Sequence, residues 1–469
     1  MNGRPLSTPP APDRGGGVRP LPAWSGPFHW SPFVILYVLG GDCRPARRLP
    51  VVEISQGQVV AGMLDAAENA SPVDAVEAVT RELGAALGAR TVSFLIADLS
   101  GRALVRLAHV PFHDAGGARH DGEEVATVLP FDGGPAEQTL RTQSVRVIGG
   151  PDGWTVLAPV TERGEVIGLL EMVLPEEPAA QVLQEIVRTA HALAFVVIAN
   201  RRHTDLFEWG QRTTSFTLSA EIQRRLLPAS FTCEASAFTV SGWLEPAASV
   251  GGDTFDYSLG RDVLHFSVTD AMGHGVASSL TATLGVGSLR NTRRRGAGLL
   301  EQADAANTTV AEHAGARGDY VTAVLGRLNL RTGVCALLNA GHIPPFLVRS
   351  GDTSLLRLPD NFPLGMFTEA QYREGEITLQ PGDRLVVVTD GMRERNAASF
   401  DLEAMLRSLG DLHPREAVRA LADAVLEVAG PTLADDATLL ILDWYGGHPR
   451  SRRTSAGADS QRASAALPD

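Results

Sequence analysis

Residues 268–272 read VTDAM, and residues 388–392 read VTDGM. The first follows the apolar run VLHFS, the second grows out of RLVVV, and each leads into a turn, GHG in one case and RER in the other. A strand ending on aspartate presents a carboxylate at the rim of a sheet, and the small residue after it lets the backbone turn sharply. Two carboxylates brought to one rim repel each other or raise a pKa unless a positive charge stands between them. A divalent cation is the usual remedy. Taken alone, either stretch is equally an ordinary turn, since Asp-Gly is a common turn pair. The test is whether further carboxylates join them.

They do. The region 229–445 reads as strands with two helical patches, 274–290 and 298–314. It holds four acidic sites, each at the end of an apolar run or in a glycine turn. VGGDTFD carries Asp253 and Asp256, VTDAMGHG carries Asp270, VTDGMRER carries Asp390, and ADDATLLIL carries Asp435 and Asp436 into a strand. Oxygen ligands without cysteine or a histidine pair select hard cations, Mn²⁺ or Mg²⁺, rather than zinc. Several carboxylates shared by two such ions make a binuclear site that activates water and clamps a phosphoryl group, with no serine or cysteine nucleophile required.

Composition narrows the alternatives. The chain has 469 residues, enough for two or three domains, and a net charge of −13, which argues against nucleic acid as a partner. All 41 basic residues are arginine. The absence of lysine excludes a Walker A loop, a kinase strand lysine and Schiff-base chemistry. Cys43, Cys233 and Cys335 are scattered, form no CxxC pair, and fit a reducing cytoplasm. The apolar run FVILYVLG at 33–40 is too short to span a bilayer, so no membrane association is expected. Residues 1–62 read as a disordered or poorly defined leader, with Met63 as an alternative start, and 446–469 as a disordered tail.

Residues 63–178 read as a small α+β module. SPVDAVEAVTRELGAALGAR has Ser71 as a cap, Pro72 in the first turn, and Val76, Val79, Leu83 and Leu87 at helical spacing. TVSFLIAD and ALVRLAHV form one hairpin around LSGR, and WTVLAPVTERGEVIGLLEMVLP forms a second around ERGE. Helix, meander and closing hairpin resemble a GAF sensory domain, mostly through APV…GEVIGLLEMV. Such a resemblance implies a ligand-binding or dimerising module, and no residue identifies a ligand. Residues 179–228 read as a helical linker. The stripe Val182, Ile186, Leu193 and Val197 suggests pairing with a second copy, a homodimer, rather than helices packed on each domain.

Seven phrases in order, EIQRRLLP, VGGDTFDY, VTDAMGHGVASS, NAGHIPPFLV, FPLGM, LQPGDRLVVVTDGMRER and DDATLLIL, resemble the metal-dependent type 2C (PPM) Ser/Thr phosphatases in their SpoIIE/RsbU form. The resemblance covers 215–445. It implies a β-sandwich of two antiparallel sheets flanked by helices, with two metal ions at one end. It matches Asp270 to the metal-bridging aspartate, the Ala271 carbonyl to a backbone ligand and Asp253 to a ligand of the first glycine motif. It also matches Asp390 to a second-metal ligand and Asp435 to the last ligand, with Asp436 its neighbour. It implies a phosphoserine or phosphothreonine protein as substrate, of the anti-sigma-factor-antagonist kind, in a sigma-factor partner-switching pathway. The alternative is a non-catalytic scaffold of the same fold. Two features depart from the larger enzymes. His274 lies four residues after Asp270 rather than two and reads as shaping the turn; His342 of NAGH also reads as structural. The phosphate-binding arginine has no counterpart, and RNTRRR at 290–295 reads as a solvated helix end.

Overall fold

A computed structural model describes residues 58–112, 127–213, 216–245, 251–314, 318–393, 401–429, 433, 435–447 and 452–464. The N-terminal module begins with α1 (Gln58–Asn69) and α2 (Ala75–Leu87). Ser71 does not cap α2. Its hydroxyl bonds Asp74 at 2.6 Å, and the regular helix starts at Ala75. Val76, Val79 and Leu83 are buried as their spacing requires, and Gly88 ends the helix in the left-handed region at φ 63°. There follow β1 (Thr91–Ala97), β2 (Ala103–Pro111), β3 (Val128–Pro130), α3 (Pro135–Thr142), β4 (Arg146–Gly150), β5 (Gly153–Glu162) and β6 (Glu165–Leu174). They form one antiparallel sheet in the order β3-β2-β1-β6-β5-β4. Alternation along β1 serves two cores: Phe94 and Ile96 face α1 and α2, whereas Leu95 and Ala97 join Leu104, Leu140, Leu157 and Leu169 on the other face.

The linker is broken into α4 (Ala180–Asn200), α5 (Leu206–Gly210) and α6 (Leu218–Leu226), the last capped by Thr217, whose hydroxyl accepts from Ala220 N–H at 3.2 Å. The stripe read as a pairing surface is largely used within the chain. Ile186, Leu193 and Val197 are buried in the core shared with α2 and the sheet. Among the described residues, α4 is the helix long and apolar enough to cross a membrane, and it lies against β5.

The second module holds β7 (Thr232–Glu234), β8 (Phe238–Glu245), β9 (Asp253–Leu259), β10 (Val263–Ala271), α7 (Gly275–Arg294), α8 (Leu299–Ala314), β11 (Val321–Asn329), β12 (Val334–Ala340), β13 (Phe346–Arg349), β14 (Asp352–Leu355), β15 (Gly375–Thr378), β16 (Arg384–Val388), α9 (Leu402–Ser408), α10 (Pro414–Ala429) and β17 (Ala437–Trp444). Two antiparallel sheets result, β15-β12-β11-β10-β9 and β14-β13-β16-β17-β8-β7. The run RLVVV is apolar throughout because both of its faces are covered. Leu385 and Val387 meet Phe266, Val268 and Val324 of the facing sheet, while Val386 and Val388 meet Leu421 and Val425 of α10. Ala282, Leu289 and Val310 of α7 and α8 cover the opposite sheet at Val321, Ala323 and Leu325. The order is helices, sheet, sheet, helices. Reading 229–445 with only two helical patches misses α9 and α10, although Ala417, Val418, Leu421 and Val425 carry the three-and-four spacing that predicts a buried helix face.

The stretch expected as a disordered tail needs correction over 452–464. Residues β18 (Thr454–Ser455) and β19 (Ala458–Asp459) form a hairpin with Ala456 and Ala458 buried. Arg452 and the Asp459 amide both bond Glu234, the latter at 2.9 Å, and the Gly164 amide donates to the Gly457 carbonyl at 3.3 Å. A small, polar composition suggests disorder only when no partner is in view. Here glycine and alanine permit close approach, since a Cβ on Gly457 would lie 1.8 Å from the Thr161 carbonyl oxygen. At the other end, helix α1 begins within the expected leader, at Gln58.

Candidate active site

Asp253 opens β9 and Asp270 stands one residue before the end of β10, and the two are directly paired across the ladder. Gly252 makes this approach possible. A Cβ there would lie 2.4 Å from the Ala271 carbonyl oxygen, and the Ala271 amide donates to the Gly252 carbonyl at 3.2 Å. In the other sheet, β16 ends in a single 3-10 turn, Asp390–Arg393, beside the start of β17. Gly391 is needed here for the same reason: a Cβ would meet the Asp436 carbonyl oxygen at 2.0 Å. The second VTD phrase therefore packs its turn onto the DDA phrase.

Two side chains tie the sheets together at this end. Thr389 donates from its hydroxyl to Asp253 Oδ2 at 2.7 Å and accepts from the Thr438 amide at 2.9 Å. Gln223, buried on α6, donates through Nε2 to Asp436 Oδ2 at 2.6 Å and to the Asp253 carbonyl at 2.9 Å. Asp436 is buried, as is Ala271, while Asp390 and Asp435 are exposed and Asp270 is intermediate. The Asp436 amide donates to Asp435 Oδ1 at 2.9 Å.

The electrostatics follow from this crowding. Burial, then the charges of Asp390 and Asp435, push Asp270 from 3.8 up to about 7, against a hydrogen bond with Asp253 that pulls the other way. Burial, then the charges of Asp270 and Asp436, hold Asp253 well above the ordinary carboxylate range. Asp253 and Asp270 thus both feel burial first and the negative charge of neighbouring aspartates second. Among the described residues, no group of three or more His, Cys, Asp or Glu side chains already stands in the arrangement that holds a metal ion. The donor set nonetheless fits hard cations in kind: carboxylates and the Ala271 carbonyl are all oxygen donors, and mutual repulsion is what a cation relieves.

Residues 260–445 match the family model described as Stage II sporulation protein E (SpoIIE). The chain carries a SpoIIE/RsbU-type phosphatase-fold domain. It is 23% identical over 269 residues to the phosphoserine phosphatase RsbU of Bacillus subtilis (strain 168), covering 54% of this chain and 79% of that protein. It is 26% identical over 127 residues to Stage II sporulation protein E of the same organism, covering 26% of this chain and 15% of that protein. Among solved structures it is similar to the SiaA-PP2C domain of Pseudomonas aeruginosa, with a TM-score of 0.41, 21% identity, and coverage of 48% of this chain and 93% of that one.

Within the SpoIIE-type domain, Asp253, Asp270, Asp390, Asp435 and Asp436 gather at one end of the sandwich, and Asp256 does not. Its carboxylate is bound by Arg290 Nη2 and Arg293 Nη1, each at 2.9 Å. RNTRRR is accordingly not a wholly solvated helix end, because two of its arginines turn inward to this aspartate. His274 is exposed between Gly273 and Gly275, at φ 95° and 74°, and leads into α7. His342 is buried. Its Nδ1 bonds the Ile343 carbonyl at 3.0 Å, and burial holds its pKa below the usual value although the Asp390 charge opposes this. The residues that sequence reasoning missed are Gln223 and Thr389. Gln223 lies inside EIQRRLLP among Glu221, Arg224 and Arg225, and no local signal sets it apart from them.

Proposed function

We propose that the chain is a Mn²⁺- or Mg²⁺-dependent phosphoprotein phosphatase acting on phosphoserine or phosphothreonine. The observation that carries this reading is the convergence of five aspartates from two facing sheets, with Asp270 raised to about 7 by burial and by its neighbours. Asp253, Asp270, Asp390 and Asp435, with Asp436 and the Ala271 carbonyl, would hold two ions. Once bound, such ions supply an activated water and charge neutralisation for in-line attack on a phosphoryl group. The protein's own part is positional. Thr389 fixes the Asp253 carboxylate, and Gln223 holds the DDA turn against the β9 start, so oxygen donors are oriented before any cation arrives.

The resemblance to RsbU supports a phosphorylated anti-sigma-factor antagonist as substrate and a role in sigma-factor partner switching. Residues 63–178 are proposed as a GAF-like sensory module controlling the phosphatase, in the cytoplasm. A homodimer through 179–228 would use the outward face of α4, where Phe195 is 50% exposed. Turnover of a phosphoserine peptide should require Mn²⁺ or Mg²⁺ and stop with EDTA. Undiminished turnover in metal-free buffer refutes the mechanism, and no turnover with either ion leaves the non-catalytic scaffold as the better reading.

A further inference from the structure

Three parts of the chain meet at Glu234, on the edge strand β7. Its amide donates to the Arg163 carbonyl of the N-terminal module at 2.8 Å, and a Cβ on Gly164 would come within 2.7 Å of its carboxyl group. His413 of the SpoIIE-type domain contacts Glu234 Oε1 through Nε2 at 2.9 Å. Glu234 Oε2 accepts from the Asp459 amide at 2.9 Å and from the Arg452 guanidinium, both in the 452–464 segment.

That segment also touches each module separately. On the N-terminal side the Gly164 amide donates to the Gly457 carbonyl at 3.3 Å, and Gly457 is pressed against the Thr161 carbonyl and against His191 of α4. On the other side Arg462 donates to the Ala235 and Ser236 carbonyls at 3.0 and 3.2 Å. Its guanidinium lies 3.8 Å from the centre of the Tyr445 ring. The Ser464 hydroxyl accepts from the His413 amide at 3.3 Å. The hold is polar. The side chains that the segment buries are small, Ala456, Ala458, Asp459 and Ser464, whereas α10 alone buries Val418, Leu421 and Val425. Two methyl groups bring little apolar burial, and a segment so held opens locally well before the body of a protein unfolds.

We propose that residues 452–464 form a releasable clasp that locks the N-terminal module against the SpoIIE-type domain. Opening the clasp loosens the seam between the modules while both cores stay folded. The seam is itself polar. Glu165 accepts from the Phe231 and Thr232 amides at 3.1 and 2.8 Å, and Arg415 donates to the Gly164 carbonyl at 2.7 Å. These bonds converge on the β5–β6 turn that the clasp also grips, so the two are coupled through a few residues. The state of the clasp then sets how firmly the modules are joined, whatever reaction the second one performs.

Hydrogen exchange of the full chain, read by mass spectrometry, tests this without phosphatase activity. The amides of Phe231, Thr232 and Glu234 donate across the seam and report on it directly. Gly457→Val places a branched side chain at a φ of 88°, with its Cβ 1.8 Å from the Thr161 carbonyl oxygen, and should hold the clasp open. Exchange over 231–234 should quicken at least about tenfold, with the amides of β10 at the parental rate. Arg462→Ala removes the contacts to Ala235, Ser236 and Tyr445 and should act in the same direction to a smaller extent. If Gly457→Val does not fold, Arg462→Ala decides the matter. Faster exchange confined to 452–464 makes the segment a local hairpin without influence on the seam, and equal acceleration in β10 makes its effect global; either result overturns the proposal.

Discussion

Replacing Asp390 by asparagine keeps the size of the side chain and removes the largest charge acting on Asp270. In the metal-free chain Asp270 holds its proton up to about pH 7, against 3.8 in an ordinary carboxyl. The folded state therefore binds a proton that the unfolded chain has released. Stability falls as pH rises from about 4 to about 7, and the loss is complete above that. A displacement of this size corresponds to at most about 4 kcal/mol. Burial is its first cause, so the Asp390 charge accounts for a minor share, roughly 1 kcal/mol. Asp390→Asn should then melt about 2–4 °C above the parent at pH 8 in EDTA. The gain should vanish near pH 5, where Asp270 is protonated in both proteins. Turnover on a phosphopeptide at saturating Mn²⁺ should fall on the order of 100- to 1,000-fold. The measurements are melting curves at both pH values and steady-state rates. A variant that melts below the parent at both pH values, or that turns over at the parental rate, refutes the view that Asp390 and Asp270 share one repulsive site.

Three further outcomes are expected. Gln223→Leu removes the buried donor that Gln223 supplies to Asp436 and to the Asp253 carbonyl and should cost about 1–3 kcal/mol in urea unfolding. Its turnover should fall further than that of an equally destabilised core variant such as Leu442→Ala, in a comparison made on folded protein. Asp256→Asn removes the charge and one of the two acceptors that hold Arg290 and Arg293, so it should lower stability by about 1–3 kcal/mol while leaving turnover per folded molecule near the parental value. Gly391→Ala brings a methyl group against the Asp436 carbonyl; a loss of metal-dependent turnover should accompany any folded product, and an unaffected rate would show that this close approach is dispensable.

The strand-and-turn grammar of the catalytic half was readable from residue order alone. A carboxylate after an apolar run, followed by a small residue, specifies a strand end and a sharp turn through local sterics. The helical patches 274–290 and 298–314 were legible in residue order, and the three-and-four spacing in 414–429 was there to be read. Local patterning could say that Asp253, Asp270, Asp390 and Asp435 sit at strand ends. It could not say which ends share a rim, nor that Asp256, two pleats into β9, is turned to arginines instead. Those facts depend on how two sheets stack and which residues cross between them. Gln223 touches Asp436 across 213 positions of chain, and Thr389 touches Asp253 across 136. The burial of the α4 stripe and of the 452–464 hairpin has the same origin. An apolar or small residue signals only that it can be covered; what covers it is settled when distant segments compete for the same surface in the folded chain.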